Sequence, residues 1–436
     1  MRIESGPQYS NDRSRAMRKP IPSLTGLRFI AAFSVLFAHA LPKIFPWPEG
    51  HAVPHAYTML EAASAEGMSL FFVLSGFVIH YNYSERLETQ GGIGLINFFI
   101  ARFARLYPLY LCCLAFDLLY SYSYSQLPNS WWAALPFYLT LTQSWIYLPF
   151  GDHALIYQFG LMPSVAWSIS TEWFFYWVYP FICFALIRFH YIRQKVLVTL
   201  VISIVAVAMV LAAGASADRL NDLAVGGFGP VADANSHQQD SFIRWLIYFS
   251  PYSRFFEFAM GCVCASIYMQ ISKAPPKPNE EAWGWRALWA AIAATAVLHV
   301  LLFDGKFSDQ MGDFVWLNMS FGFAIPMAII IFCSARYNSV VARFLSLPRI
   351  VLCGEASYSI YLLHLPVIFA FRWEAAALWS PRVLIADSLR FGMTALAIIG
   401  LALTTWSLIE VPARRWLRKF RIGSKFRPAA IASDGI

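Results

Sequence analysis

Apolar stretches of roughly twenty residues recur from near the start of this chain to near its end, and no other feature limits its fold as much. Inside lipid every backbone donor and acceptor must be satisfied internally, so each stretch reads as a membrane-crossing α-helix. They fall at about 22–42, 66–83, 97–120, 167–186, 196–213, 244–270, 285–303, 314–334, 354–374 and 384–411. Composition agrees: 58% of the residues are hydrophobic and 13% charged, against about a quarter charged in a soluble domain. The expected fold class is all-α, a polytopic transmembrane helix bundle of about ten spans.

Charge sets the orientation. Arg13, Arg15, Arg18 and Lys19 precede the first stretch, and further cations cluster at Arg188/Arg193/Lys195, Lys273/Lys277, Arg336/Arg343/Arg349 and Arg414/Arg415/Arg418/Lys419. The positive-inside rule puts all of them, and both termini, in the cytoplasm, in what we expect to be a bacterial inner membrane. The run 131–148 is short and interrupted by Pro136, Gln143 and Ser144. A full crossing there would put Arg188 and Arg193 on the wrong side, so it is expected to be re-entrant or interfacial. The expected organisation is a cytoplasmic basic tail at 1–21, a membrane domain at 22–418 and a disordered cytoplasmic tail at 419–436. The first stretch has no small-residue cleavage site after it and reads as a retained span. Segments 43–65 and 214–243 are expected outer loops.

The net charge of +8 comes from 33 Lys+Arg against 25 Asp+Glu. The positive-inside bias accounts for this excess, so nucleic acid is not an expected partner; the lipid bilayer is. The seven cysteines lie in or beside apolar runs without Cys-x-x-Cys spacing, which indicates neither a disulfide frame nor a metal site.

Several polar residues interrupt the spans. Arg28 and His39 are eleven residues apart, so on one helix they share a face about 16 Å apart along the axis. A histidine at such depth serves either a helix-to-helix hydrogen bond or chemistry. Arg102 and Arg105 share a face at the cytoplasmic mouth of their span, where arginines hold phosphate or anchor to headgroups. Ser168, Glu172 and Tyr176 are spaced four and four, on one face among tryptophans. Glu172 is expected near the outer end of its span, where it can meet and orient His39 as a general base, or tie two helices together. Arg254 and Glu257 sit on adjacent turns as a structural pair, with a substrate role second. Ser357, Tyr361 and His364 form a polar stripe that either lines a cavity or bonds helices.

Taken in order, these stretches resemble the acyltransferase-3 family of integral membrane acyltransferases. The resemblance rests on Arg28 and His39, Gly67 through Phe77, Arg102/Arg105 before Leu106-Tyr107-Pro108, Trp167-Ser168 with Glu172 and Tyr176, and Arg254 to Gly261. Ser357-Tyr358-Ser359-Ile360-Tyr361 with His364-Leu365-Pro366, and Glu410-Val411-Pro412-Ala413-Arg414-Arg415, complete it. It implies transfer of an acyl group, usually acetyl, from cytoplasmic acyl-CoA (acetyl-CoA or another) to a hydroxyl of an extracytoplasmic carbohydrate such as exopolysaccharide, lipopolysaccharide or a lipid-linked glycan. The chain is expected to lack the C-terminal extracytoplasmic hydrolase-like domain of some members.

Under that resemblance Arg28, Arg102 and Arg105 hold the donor's phosphates. His39 and Glu172 are the expected catalytic residues. Ser168, Tyr176, Arg254, Glu257, Ser357, Tyr361 and His364 are expected to bind substrate. The alternative is a secondary transporter with an intramembrane His/Glu proton relay, although the two related halves usual in transporters are not apparent.

Overall fold

The computed structural model describes residues 18–45, 57, 59–60, 62–124, 129–158, 165–236, 239–304, 312–371 and 381–422. Most of the two expected tails and most of the 43–65 loop lie outside them.

Helix α1 (Pro22–Ile44) opens on a proline at its first position, where a missing N–H breaks no hydrogen bond. Helix α2 (Ser64–Tyr124) has 61 residues, about 90 Å if straight and three times the hydrocarbon thickness. It is broken at Gly91 (φ 50°, ψ −126°), a conformation natural only to glycine. Two arms result, 64–90 and 92–124. The polar stretch 85–94 between the expected spans at 66–83 and 97–120 is thus helical apart from one residue.

Helix α3 (Asn129–Leu139) has 11 residues, about 16 Å and half of what a crossing needs. The run at 131–148 therefore holds no helix long enough to cross alone. It turns at Leu141 (φ 56°) into a hairpin of β1 (Pro149–Phe150) and β2 (His153–Ala154), with Gly151 at the turn.

Then follow α4 (Trp167–Ile187), α5 (Ile192–Ala215), α6 (Ala217–Phe228), α7 (Pro251–Ile271), α8 (Pro278–Phe303), α9 (Ala324–Arg336), α10 (Val340–Leu345), α11 (Pro348–Glu355), α12 (Ser357–Phe371), α13 (Pro381–Thr405) and α14 (Val411–Leu417). The chain continues as a 3-10 turn at Arg418–Phe420, and Ile422 and Asn97 exchange two hydrogen bonds of 2.9 and 3.0 Å. Order therefore extends into the segment expected to be a disordered tail.

Helical rods stand at all ten expected spans, but they are less regular than the sequence suggested. Five of the described helices are long and apolar enough to cross a membrane alone, and six if the bent pair of α11 and α12, meeting at 70°, is one span. The span expected at 244–270 is interrupted at Ser250, after a π-helical turn over Trp245–Phe249. The one at 314–334 starts as a 3-10 segment, passes Phe321 at φ 66° and leaves only the 13-residue α9. Helix α4 carries Glu172, and α7 carries Arg254 and Glu257. The expected outer loop 214–243 is also partly helical, through α6. It is tied to the hairpin by Asp240, which accepts from the Ala154 amide at 2.8 Å.

Two packing units position the site. The first arm of α2 crosses α7 at Gly76 and Gly261. A Cβ on Gly76 would overlap the Phe258 carbonyl, and one on Gly261 would overlap the Val73 carbonyl, so only glycines allow this approach. Aromatic rings fill the space toward α4, with Phe175 stacked on Phe258 at 4.8 Å and Phe72 edge-on to Phe175 at 5.5 Å. In the second unit, Ala32, Leu36, Ala40 and Ile44 of α1 pack on Ile360 and Ile368 of α12 and on Ile398 and Ala402 of α13. Gly354 abuts Thr25 and His364 abuts His39, so α12 ascends beside α1 in the same direction.

Candidate functional site

Between these units lies a cavity. The first arm of α2 lines it from Met68 to Ile79, about 16 Å of helix. Arg28 of α1, Arg102 and Arg105 of α2, Ser168 and Glu172 of α4, and Ser357 and Tyr361 of α12 complete the polar lining. Eight of the twelve residues expected to form the site therefore face one space or, for Tyr176, support it.

One end is cationic. Arg102 is buried, donates to the Tyr83 hydroxyl at 2.7 Å and stacks over the Tyr83 and Tyr176 rings at 4.8 and 5.7 Å. Its Nε has no partner in the protein. Arg28 is also buried, and Arg105 is half-buried. Glu172 is the counter-charge here. Its Oε1 accepts from the Ser75 hydroxyl at 2.8 Å and the Tyr176 hydroxyl at 2.7 Å. Glu172→Ala is expected to lower the melting temperature in detergent by leaving both hydroxyls without an acceptor, and Glu172→Gln to recover most of the loss. Equal melting of all three proteins would contradict this account.

The expected contact between Glu172 and His39 is not made. The four-and-four spacing found the face correctly, but that face meets Ser75 and Tyr176. His39 pairs instead with His364. Its Nδ1 lies 2.8 Å from His364 Nε2, with the rings stacked at 5.1 Å and 11°. His364 Nδ1 lies 2.5 Å from the Tyr361 carbonyl oxygen. A carbonyl only accepts, so His364 Nδ1 carries hydrogen and its Nε2, in a neutral ring, accepts from His39 Nδ1–H. That assigns the lone pair of neutral His39 to Nε2, the arrangement a general base requires. Neither histidine lines the cavity itself, but the Tyr361 ring, which does, is 5.8 Å from the His364 ring. Cavity and histidine pair thus adjoin through Tyr361.

Residues 21–412 match the acyltransferase-3 model, described as an acyltransferase domain. The chain belongs to the acyltransferase-3 family. It is 24% identical over 360 residues to the peptidoglycan O-acetyltransferase OatA of Listeria monocytogenes, covering 81% of this chain and 50% of that protein. It is 25% identical over 358 residues to the O-acetyltransferase OatA of Staphylococcus aureus, covering 80% and 50%. It is 27% identical over 432 residues to the acyltransferase MdmB of Streptomyces mycarofaciens, covering 95% of each. The chain thus spans about half the length of the two OatA relatives. No solved structure matches it.

The other residues singled out for this acyltransferase-3 chain hold the frame of the cavity. Ser168 donates to Tyr361 Oη at 2.8 Å, and Tyr361 donates to the Val165 carbonyl at 2.9 Å, which joins α4 to α12. Arg254 and Glu257 do not line the cavity. They pair with each other at 3.2 Å, and the guanidinium lies 4.7 Å over Tyr248 and 5.7 Å over Phe72. Their default reading as a structural pair fits this position better than substrate contact.

Neither Ser75 as a polar lining residue nor the proximity of Glu410 to the cationic end was legible in the sequence. Glu410 accepts from Ser359 and pairs with Arg414 at 3.2 Å, within electrostatic reach of Arg105. The signal for Ser75 was its spacing of four from Phe71 and from Ile79, both of which line the same wall.

Proposed function

We propose that this protein transfers an acyl group, acetyl as the first candidate, from cytoplasmic acyl-CoA to a hydroxyl of an extracytoplasmic carbohydrate. The observation that carries this reading is a single cavity with three arginines along it and a histidine pair beyond its Tyr361 wall. Acyl-CoA has phosphates at one end and a thioester at the other, joined by an arm of matching length. The names of the OatA relatives support acetyl as the group and a glycan as the acceptor. The basic ends of the helices support a cytoplasmic entry for the donor.

The residues then divide the work. Arg28, Arg102 and Arg105 hold the nucleotide phosphates by charge-assisted hydrogen bonds. His39 Nε2 takes the proton of the acceptor hydroxyl as its oxygen attacks the thioester carbon. The new C–O bond forms, the C–S bond breaks, and the thiolate takes the proton back from the imidazolium and leaves as CoA thiol. His364 acts as a positioning residue that keeps hydrogen on His39 Nδ1.

The direct test uses purified protein in liposomes, radiolabelled acetyl-CoA and candidate glycans. Label appearing in the glycan is the expected result; wild-type protein that neither consumes nor binds acyl-CoA overturns the reading. Replacing His364 with Phe is expected to lower kcat about a hundredfold with KM for acyl-CoA changed less than about threefold. His364→Gln, which retains an acceptor toward His39 Nδ1, is expected to recover part of kcat. Equal loss in both variants would contradict the tautomer role.

A further inference from the structure

The hydroxyl protons along the cavity can be accounted for one by one. Ser75 donates to Glu172, Ser168 to Tyr361, Tyr361 to the Val165 carbonyl, and Tyr358 to the Leu106 carbonyl at 2.6 Å. Each of these protons is committed within the protein. Among the cavity-lining hydroxyls of the described residues, Ser357 Oγ remains, fully buried and with no partner. A serine inside a helix usually back-bonds to the carbonyl four residues earlier. Ser357 is the first residue of α12, just past the 70° bend, and its hydroxyl makes no such bond. A buried hydroxyl left so is costly in a water-poor interior, which points to an acceptor brought by a ligand.

Its height in the cavity narrows what that acceptor is. Ser357 precedes His364 by seven residues on α12, about 10 Å along the axis. In an acyl-CoA arm the carbonyl of the amide nearer the sulfur is four bonds away, about 5 Å extended, and that of the farther amide is eight bonds away, about 10 Å. With the thioester at the histidine pair, the farther amide comes level with Ser357.

We infer that the Ser357 hydroxyl donates a hydrogen bond to the carbonyl of the pantetheine amide farther from the sulfur, so that this cavity selects donors by their arm as well as by their phosphates. The inference rests on the acyl-CoA reading above.

The test crosses one protein change with one donor change. Acetyl-CoA has both amides; S-acetyl-N-acetylcysteamine has only the one nearer the sulfur. With acetyl-CoA, Ser357→Ala is expected to raise KM about tenfold, with kcat within about threefold of wild type. With the truncated donor, kcat/KM is expected to be the same for both proteins, and Ser357→Thr to restore the acetyl-CoA value. Equal losses with both donors would mean that Ser357 acts elsewhere, and no loss with either would mean that its partner is water; both overturn the inference. If the Ala variant does not fold, Ser357→Cys, a weaker donor of similar shape, is read in the same way. Wild-type protein inert toward acetyl-CoA defeats the acyl-CoA reading and this inference with it. Normal wild-type turnover with an unaffected Ser357 variant defeats the inference alone.

Discussion

Replacing His39 with alanine is expected to reduce acyl transfer about a thousandfold, the middle of the range for loss of a general base, while leaving a folded protein. Activity falls because Nε2 of His39 carries the lone pair in the tautomer chain from Tyr361 through His364. Folding survives because α1 packs on α12 and α13 through Ala32, Leu36, Ala40 and Ile44, and His39 is only half-buried beside that row. Among the described residues its one direct side-chain hydrogen bond is to His364, whose Nε2 would be left without its donor at a cost of about 1–3 kcal/mol. Expression and monodispersity of the variant in detergent, followed by transfer from labelled acetyl-CoA, measure folding and activity. A variant with activity within tenfold of wild type removes His39 as the base.

Gly261→Val is expected to have the opposite profile, with no folded protein at all. The obstacle to a side chain at Gly261 is the Val73 carbonyl, and the matching obstacle at Gly76 is the Phe258 carbonyl, so neither helix can yield by changing a rotamer. Separating α2 from α7 would also unseat the stacked Phe175 and Phe258 rings and the Ser75–Glu172 bond. Disruptions of this kind cost several kcal/mol, a large part of the roughly 5–15 kcal/mol that separates a native protein from its unfolded chain. Fluorescence-detected size exclusion reads the result directly. A wild-type-like peak for Gly261→Val would show that the crossing is looser than described.

These two residues also show what a sequence can reveal. The relation of Arg28 to His39 was legible because both lie on one helix, where 3.6 residues per turn fixes face and distance. Ser168, Glu172 and Tyr176 were found for the same reason. The partner of each was not legible. His39 and His364 are 325 residues apart, and no spacing rule says which of several ascending helices will stand beside α1. Glu172 was therefore given the wrong neighbour although its face was right. Helix breaks were legible only in part. Pro136 and the polar Gln143 and Ser144 marked the break in the run at 131–148, whereas the left-handed turns at Leu141 and Phe321 use residues that do not announce such a conformation. Family membership depended on the order of motifs along the chain, which survives when individual spans are misjudged.

The proposed transfer requires one donor lying along one cavity, phosphates at the arginines and sulfur at the histidine pair. A structure of the protein with a non-reactive thioether analogue of acetyl-CoA tests this most directly. The expected density has phosphate oxygens against Arg28, Arg102 and Arg105 and the sulfur within roughly 5 Å of His39 Nε2, close enough for an acceptor hydroxyl to fit between them. An analogue bound outside the cavity, or one with its sulfur at the arginine end, would contradict it.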